Sequence, residues 1–161
     1  AGVGPSMAAL LREPELIAGY YAGDLNPEAV ELLKLNIEYF SSRRRDTHGN
    51  VSEPLEPSKI ACCDAKDWPK SADNQGKVDL LLVNLPHLSV EHFPSLLPLM
   101  SRGHTTVVRG WSIADKTAIP DIEISINEAI IAAGGVVEQL VVDEVKGFST
   151  TKIFVCFGTL D

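Results

Sequence analysis

The chain has 161 residues and a formal net charge of -8, with 45% hydrophobic and 22% charged residues, which fits one ordinary globular domain and excludes disorder over most of its length. No run approaches the roughly 20 apolar residues of a membrane span, and no basic start followed by an apolar stretch marks a secretory leader. The excess of acid, 22 Asp and Glu against 14 Lys and Arg, excludes a grip on nucleic acid by bulk charge, and three cysteines without C-x-x-C spacing encode neither a disulfide framework nor a zinc site.

The opening A-G-V-G-P does not begin with Met and reads like the middle of a motif, which points to a fragment whose first strand precedes Ala1. Residues 6–12 have helical composition and stop before Pro14, because the residue ahead of a proline is pushed out of the helical region. Residues 16–22 (LIAGYYA) then suit a buried strand running into Gly23-Asp24. The plainest helix follows. Asn26 is a good cap, Pro27 sits at the first helical position, and Ala29, Val30, Leu32, Leu33, Ile37 and Phe40 recur at helical spacing. Residues 41–58 hold Arg43-Arg44-Arg45, Gly49 and two prolines without periodicity, and read as a flexible inserted loop.

Residues 59–63 (KIACC) are predicted as a short strand ending at Asp64, and the polar stretch after it has room for at most one helical turn. Residues 78–83 (VDLLLV) form the most continuous apolar strand and break at Asn84-Leu85-Pro86. A helix interrupted by Pro94 and Pro98 is expected over 91–100, a strand over 105–109, and an amphipathic helix over 121–133 closed by Gly134-Gly135. Two final strands, 136–145 and 152–158, suit an antiparallel hairpin. Strand and helix thus alternate, which predicts an α/β fold: a Rossmann-like, doubly wound, mostly parallel sheet with a C-terminal antiparallel hairpin. Residues 1–161 read as one domain.

In such sheets ligands bind beyond the carboxyl ends of the strands. That rule selects the glycine loop, Asp24, Asp64 and Asn84-Leu85-Pro86. Gly2 and Gly4 allow a tight turn and close backbone approach, and the helix after them offers N–H groups to an anion; the plain alternative is an ordinary turn. Asp24 lies about twenty residues after the loop, the spacing at which an acid accepts the hydroxyl hydrogens of a ribose, although Gly-Asp-Leu-Asn-Pro also suits a turn aspartate. Asp64 can accept from an adenine amine or begin a turn. Asn84, stiffened by Leu85-Pro86, can offer its amide to a nitrogenous substrate, or merely terminate its strand.

Other candidates are weaker. His48, His87, His92 and His104 share no ligand spacing, so no metal is expected. Cys62 and Cys63 read as packing residues, and the arginine run as a solvated loop that touches RNA phosphate in a minority reading.

Together, A-G-V-G-P, D-L-N-P-E-A-V-E-L-L-K-L-N-I and D-L-L-L-V-N-L-P-H resemble the class I methyltransferases that use S-adenosylmethionine, and within them the Trm5 or Met-10+ like family, the tRNA guanine-37 N1-methyltransferases. The resemblance implies a cofactor site of Ala1, Gly2, Val3, Gly4, Asp24, Leu25, Asn26, Asp64, Ala65 and Asn84. It also implies that Asn84 and Pro86 flank the target base, with Asn84 holding the guanine edge. The partner would be tRNA, bound largely by regions outside this chain, and the protein a monomer of the cytoplasm, with nuclear or mitochondrial pools compatible. Three alternatives stand beside it: a wybutosine-pathway aminocarboxypropyl transferase of the same fold, a non-catalytic RNA or protein interaction domain, and a NAD-binding Rossmann domain. The last lacks the final glycine of G-x-G-x-x-G.

Overall fold

The computed structural model describes residues 2–13 and 15–159. The fold is mixed α/β, with parallel and antiparallel strand pairs, and the chain divides into two compact units, Ala1–Ala65 and Lys66–Asp161. Ala1 itself, which the sequence assigns to the cofactor loop, lies outside the described residues.

In the first unit, Pro5 opens helix α1 (Pro5–Arg12) where a missing N–H costs nothing, and Met7 and Leu11, one turn apart, are buried. Strand β1 (Tyr20–Asp24) is shorter than its apolar composition suggests. Glu15 adopts φ 60°, a turn conformation that delays the extended run, and Leu16 stays 57% exposed. Helix α2 (Pro27–Ser41) starts where the sequence places it: Asn26 Oδ1 accepts the Glu28 N–H at 3.0 Å. Its buried face is Val30, Leu33 and Ile37. Strand β2 (Ser58–Cys62) pairs in parallel with β1, Asp24 lying opposite Cys62. Met7, Leu11, Ala22, Leu33 and Ile37 form one core, against which Ile17, Tyr20, Phe40 and Ile60 pack.

The segment between α2 and β2 has its own order. Asp46 accepts N–H groups from His48 and Asn50, each at 2.8 Å, and the Asn50 amide at 3.0 Å, while Arg45 bridges to Val51. The Asn50 bonds chiefly hold the Asp46 carboxylate below its ordinary pKa. Arg43 stacks 3.6 Å from the Tyr39 ring centre and donates to the Tyr39 carbonyl at 3.0 Å; Arg44 is buried and donates to the Glu53 carbonyl at 3.2 Å. All three arginines therefore bond backbone carbonyls, Arg43 and Arg45 those of Tyr39 and Arg44 at and just past the end of α2, where helical C=O groups lack internal partners, and Arg44 that of Glu53.

In the second unit, strand β3 (Leu80–Asn84) pairs in parallel with β4 (Val107–Asp115), and β5 (Leu140–Gly147) forms an antiparallel hairpin with β6 (Lys152–Thr159). The order is β3-β4-β6-β5, with β4 and β6 antiparallel. The sequence marks only the start of β4. Gly110 and Ser112 disguise the rest, yet both are buried in alternation with Val108. Gly110 lies under the Phe157 ring, so close that any Cβ would overlap it.

Helix α3 (Ser89–Leu96) begins before the expected residue 91, carries Pro94 within it and passes into a 3-10 turn, Leu97–Leu99, which takes up the second proline. Helix α4 (Ile119–Ala132) buries Ile122 and Ile126. Phe93 of α3 meets Phe157 of β6 edge to face at 6.0 Å. Residues 65–74 carry two short 3-10 segments rather than one turn. No helix among the described residues is long and apolar enough to cross a membrane.

Candidate functional site

In the first unit the structure gathers most of the predicted loop around one carboxylate. Asp24, at the carboxyl end of β1, accepts the Gly2 N–H on Oδ2 at 2.8 Å and the Asn26 N–H on Oδ1 at 3.0 Å. Asn26 in turn caps α2. From the same helix, Asn36 Nδ2 donates to the Val3 carbonyl at 2.8 Å. Two bonds thus tie the loop of two glycines to β1 and α2, Gly2 on Asp24 and Asn36 on Val3. The turn role of Asp24 is filled by Oδ1, and Oδ2 holds the glycine loop.

The electrostatics agree. Partial burial opposes ionisation of Asp24, the backbone N–H groups of Asn26 and Gly2 are the leading causes that favour it, and its pKa lies below the ordinary carboxylate value. The two glycines differ. Gly4, at φ 93°, has its missing Cβ aimed at Leu33 Cδ1, 2.7 Å away, whereas Gly2, at φ 55°, faces open space. Gly4 therefore lets the loop pack on α2. Gly2 leaves bare backbone beside Asp24, the kind of cradle a ligand can approach closely.

Leu25 is 71% exposed beside this carboxylate. The Cys62 thiol donates to the Leu25 carbonyl at 3.5 Å, and the Cys63 N–H donates to the Asp24 carbonyl at 3.1 Å, so the ends of β1 and β2 are linked. Asp64 and Ala65 follow, half-buried, where β2 gives way to a 3-10 segment.

In the second unit, Asn84 is the exposed last residue of β3, and it lies opposite Trp111 in β4. The turn after it is firmly held. Ser89 Oγ accepts the Leu85 N–H at 2.9 Å and donates to the Leu85 carbonyl at 3.0 Å, and the Pro86 carbonyl accepts the Ile113 N–H at 2.6 Å and the Ser112 hydroxyl at 3.2 Å. Among the described residues the Asn84 side chain makes no hydrogen bond, and Pro86 is exposed beside it. Sequence reasoning missed Ser89, Ser112 and Asn36. A serine five residues beyond Asn84 at a helix start was a readable signal; nothing local marked the other two.

The remaining candidates stay apart. His104 pairs with Asp79 at 2.8 Å, and the Ser101 hydroxyl and His104 hold that carboxylate below its ordinary pKa. His92 is buried in α3, while His48 and His87 are exposed. All three cysteines are free. Among the described residues no group of three or more His, Cys, Asp or Glu is placed to hold a metal ion.

No family model matches the chain, and no curated protein matches its sequence. Solved structures do match its fold. TYW2 from M. jannaschii, in complex with AdoMet, aligns with a TM-score of 0.75 and 14% identity over 99% of this chain and 64% of that one. Wild-type Trm5b from Pyrococcus abyssi gives 0.66 and 17%, over 98% of this chain and 41% of that one. An rRNA methylase from Streptococcus thermophilus gives 0.54 and 13%, over 99% and 82%. The chain thus shares the fold of these proteins, and spans less than two thirds of the length of the first two.

Proposed function

We propose that the chain is the cofactor-binding part of an RNA methyltransferase that uses S-adenosylmethionine, with N1 of guanine 37 in tRNA as the acceptor. The observation that carries the reading is the Asp24 carboxylate at the end of β1, bonded to Gly2 of an open glycine turn. This donor set suits a nucleoside cofactor: a carboxylate oxygen accepts from two donors at once, so ribose hydroxyls can join the backbone N–H groups on Asp24. The bare backbone at Gly2 and Val3 suits a close-lying amino acid moiety, and Asp64 suits the adenine amine.

Bound there, S-adenosylmethionine would supply a methyl group on a sulfonium, which leaves in line to a nucleophilic nitrogen. The protein's share is positioning and removal of the acceptor's proton. Asn84 would hold the guanine edge through its amide, with Pro86 keeping the adjacent backbone stiff. Guanine N1 would give up its proton through this site to solvent water as it takes the methyl group, and the cofactor would be left as a neutral thioether. The macromolecular partner is tRNA and the proposed compartment the cytoplasm.

One further reading has its own support. The alignment with TYW2 favours transfer of the aminocarboxypropyl group of the same cofactor, while N-L-P favours methyl transfer. Calorimetric titration with S-adenosylmethionine, and NAD as a control, tests the cofactor; saturable binding of the former alone is expected. Mass spectrometry of nucleosides from tRNA treated with the protein then separates an added methyl group from an aminocarboxypropyl group. A folded protein that binds neither compound refutes the cofactor site.

A further inference from the structure

We infer that Ser89 and Ser112 are positioning residues that fix the direction of the Asn84 amide, an inference that rests on the reading of Asn84 as the group that meets the acceptor base. Leu85 and Pro86 together carry three backbone polar groups, because proline has no N–H. All three are bonded. Ser89, from the first turn of α3, holds both polar groups of Leu85, at 2.9 and 3.0 Å, and Ser112, from the middle of β4, joins the Ile113 N–H on the Pro86 carbonyl.

Both hydroxyls are buried, with 0% exposure at Ser89 and 5% at Ser112. Water cannot readily replace Ser89. Its removal leaves the Leu85 N–H without a partner, a state the chain escapes only by shifting the turn. The Pro86 carbonyl is held on both lone pairs by β4, one residue beyond Trp111, the register partner of Asn84. The turn is therefore pinned from two different elements. Its polar groups are consumed internally, and the Asn84 amide is left to meet a ligand. An amide on so short a side chain takes its direction mainly from its backbone, so whatever sets the turn sets the amide.

The test uses the protein as the cell makes it, with Ser89→Ala, Ser112→Ala and Ser112→Thr. Three quantities are read: S-adenosylmethionine affinity by calorimetry, single-turnover methyl transfer to tRNA, and hydrogen exchange at the Leu85 and Ile113 amides. Both alanine variants should keep the cofactor affinity of the wild type, which also shows that they fold. Their transfer rates should fall by about tenfold to a hundredfold, the scale of a misplacement near 1 Å. Exchange at Leu85 should quicken by about tenfold in Ser89→Ala, as loss of one hydrogen bond requires. Ser112→Thr keeps the hydroxyl and should recover most of the rate.

Faster exchange with an unchanged transfer rate would overturn the positioning role, as would a rate loss matched by lost cofactor affinity and not relieved by Ser112→Thr. A wild-type protein that transfers nothing refutes the functional reading and this role with it. A wild type that transfers, with variants that match it, refutes the serines alone.

Discussion

The carboxyl ends of β1 and β3 each present a polar residue, Asp24 and Asn84, and they are held by opposite means. At β1 an ionised, half-exposed carboxylate gathers backbone N–H groups onto itself. At β3 the exposed amide gathers nothing among the described residues, and buried neutral hydroxyls hold the turn behind it. The first arrangement uses the functional group as its own scaffold. The second separates scaffold from function. On the proposed function a change at Asp24 therefore disturbs loop geometry and ligand contacts together, whereas a change at Asn84 should leave its surroundings in place.

The largest expected effect tests that contrast directly. Asp24→Ala removes the acceptor for Gly2 and Asn26 and should abolish S-adenosylmethionine binding while circular dichroism shows the helices retained; unchanged affinity would take Asp24 out of the site. Asn84→Ala should lower methyl transfer by about a hundredfold with little change in thermal stability, because no protein bond is lost. A large drop in melting temperature would show instead that Asn84 is also scaffold.

A smaller effect separates the glycines. Gly4→Ala combines a left-handed backbone with a clash against Leu33 and should cost about 1–3 kcal/mol in denaturant unfolding. Gly2→Ala meets no neighbour and should cost only the left-handed backbone's about 1–2 kcal/mol, while weakening cofactor affinity more than Gly4→Ala does. Equal losses of stability would show that the packing contact at Gly4 contributes nothing. The smallest effect is in acid. The folded-state pKa of Asp24 is lowered, so its stabilising contribution is complete above the ordinary aspartate value and is lost as pH falls through the lowered one. The Gly2 amide resonance should move in that acid window, and an unshifted midpoint would contradict the two bonds.

Much of the first region was legible in the sequence because its signals are local. Asn26 followed by Pro27 and Glu28 states a helix start, and the spacing of Asp24 from the glycines states a loop and its acid. The alternation of strand and helix likewise gave the mixed fold and the final hairpin. The limits of β1 and β4 were not legible. At β1, one turn residue, Glu15, overrode an apolar run; at β4, burial of Gly110 and Ser112 depends on Phe157, some forty-five residues away, and on Pro86. The hydroxyl contacts of Ser89 and Ser112 were hidden for the same reason: a serine says nothing about its partner until the sheet register is known. The arginine run misled in the other direction, since charge alone gave no hint that Arg44 is buried against the Glu53 carbonyl.

The fit of Phe157 over Gly110 also acts as an index mark for the sheet. A slide of β4 along β6 by one residue would turn its buried face outward, and a slide by two would place Val108 or Ser112, each with a side chain, beneath the ring. Only one alignment is open. That alignment also sets the height of Ser112 and Ile113, and hence where the Pro86 carbonyl is caught. Gly110→Ala would thus be felt as a displaced catch two to three residues along the strand, a core contact calibrating a surface amide through the rigid spacing of a single ladder.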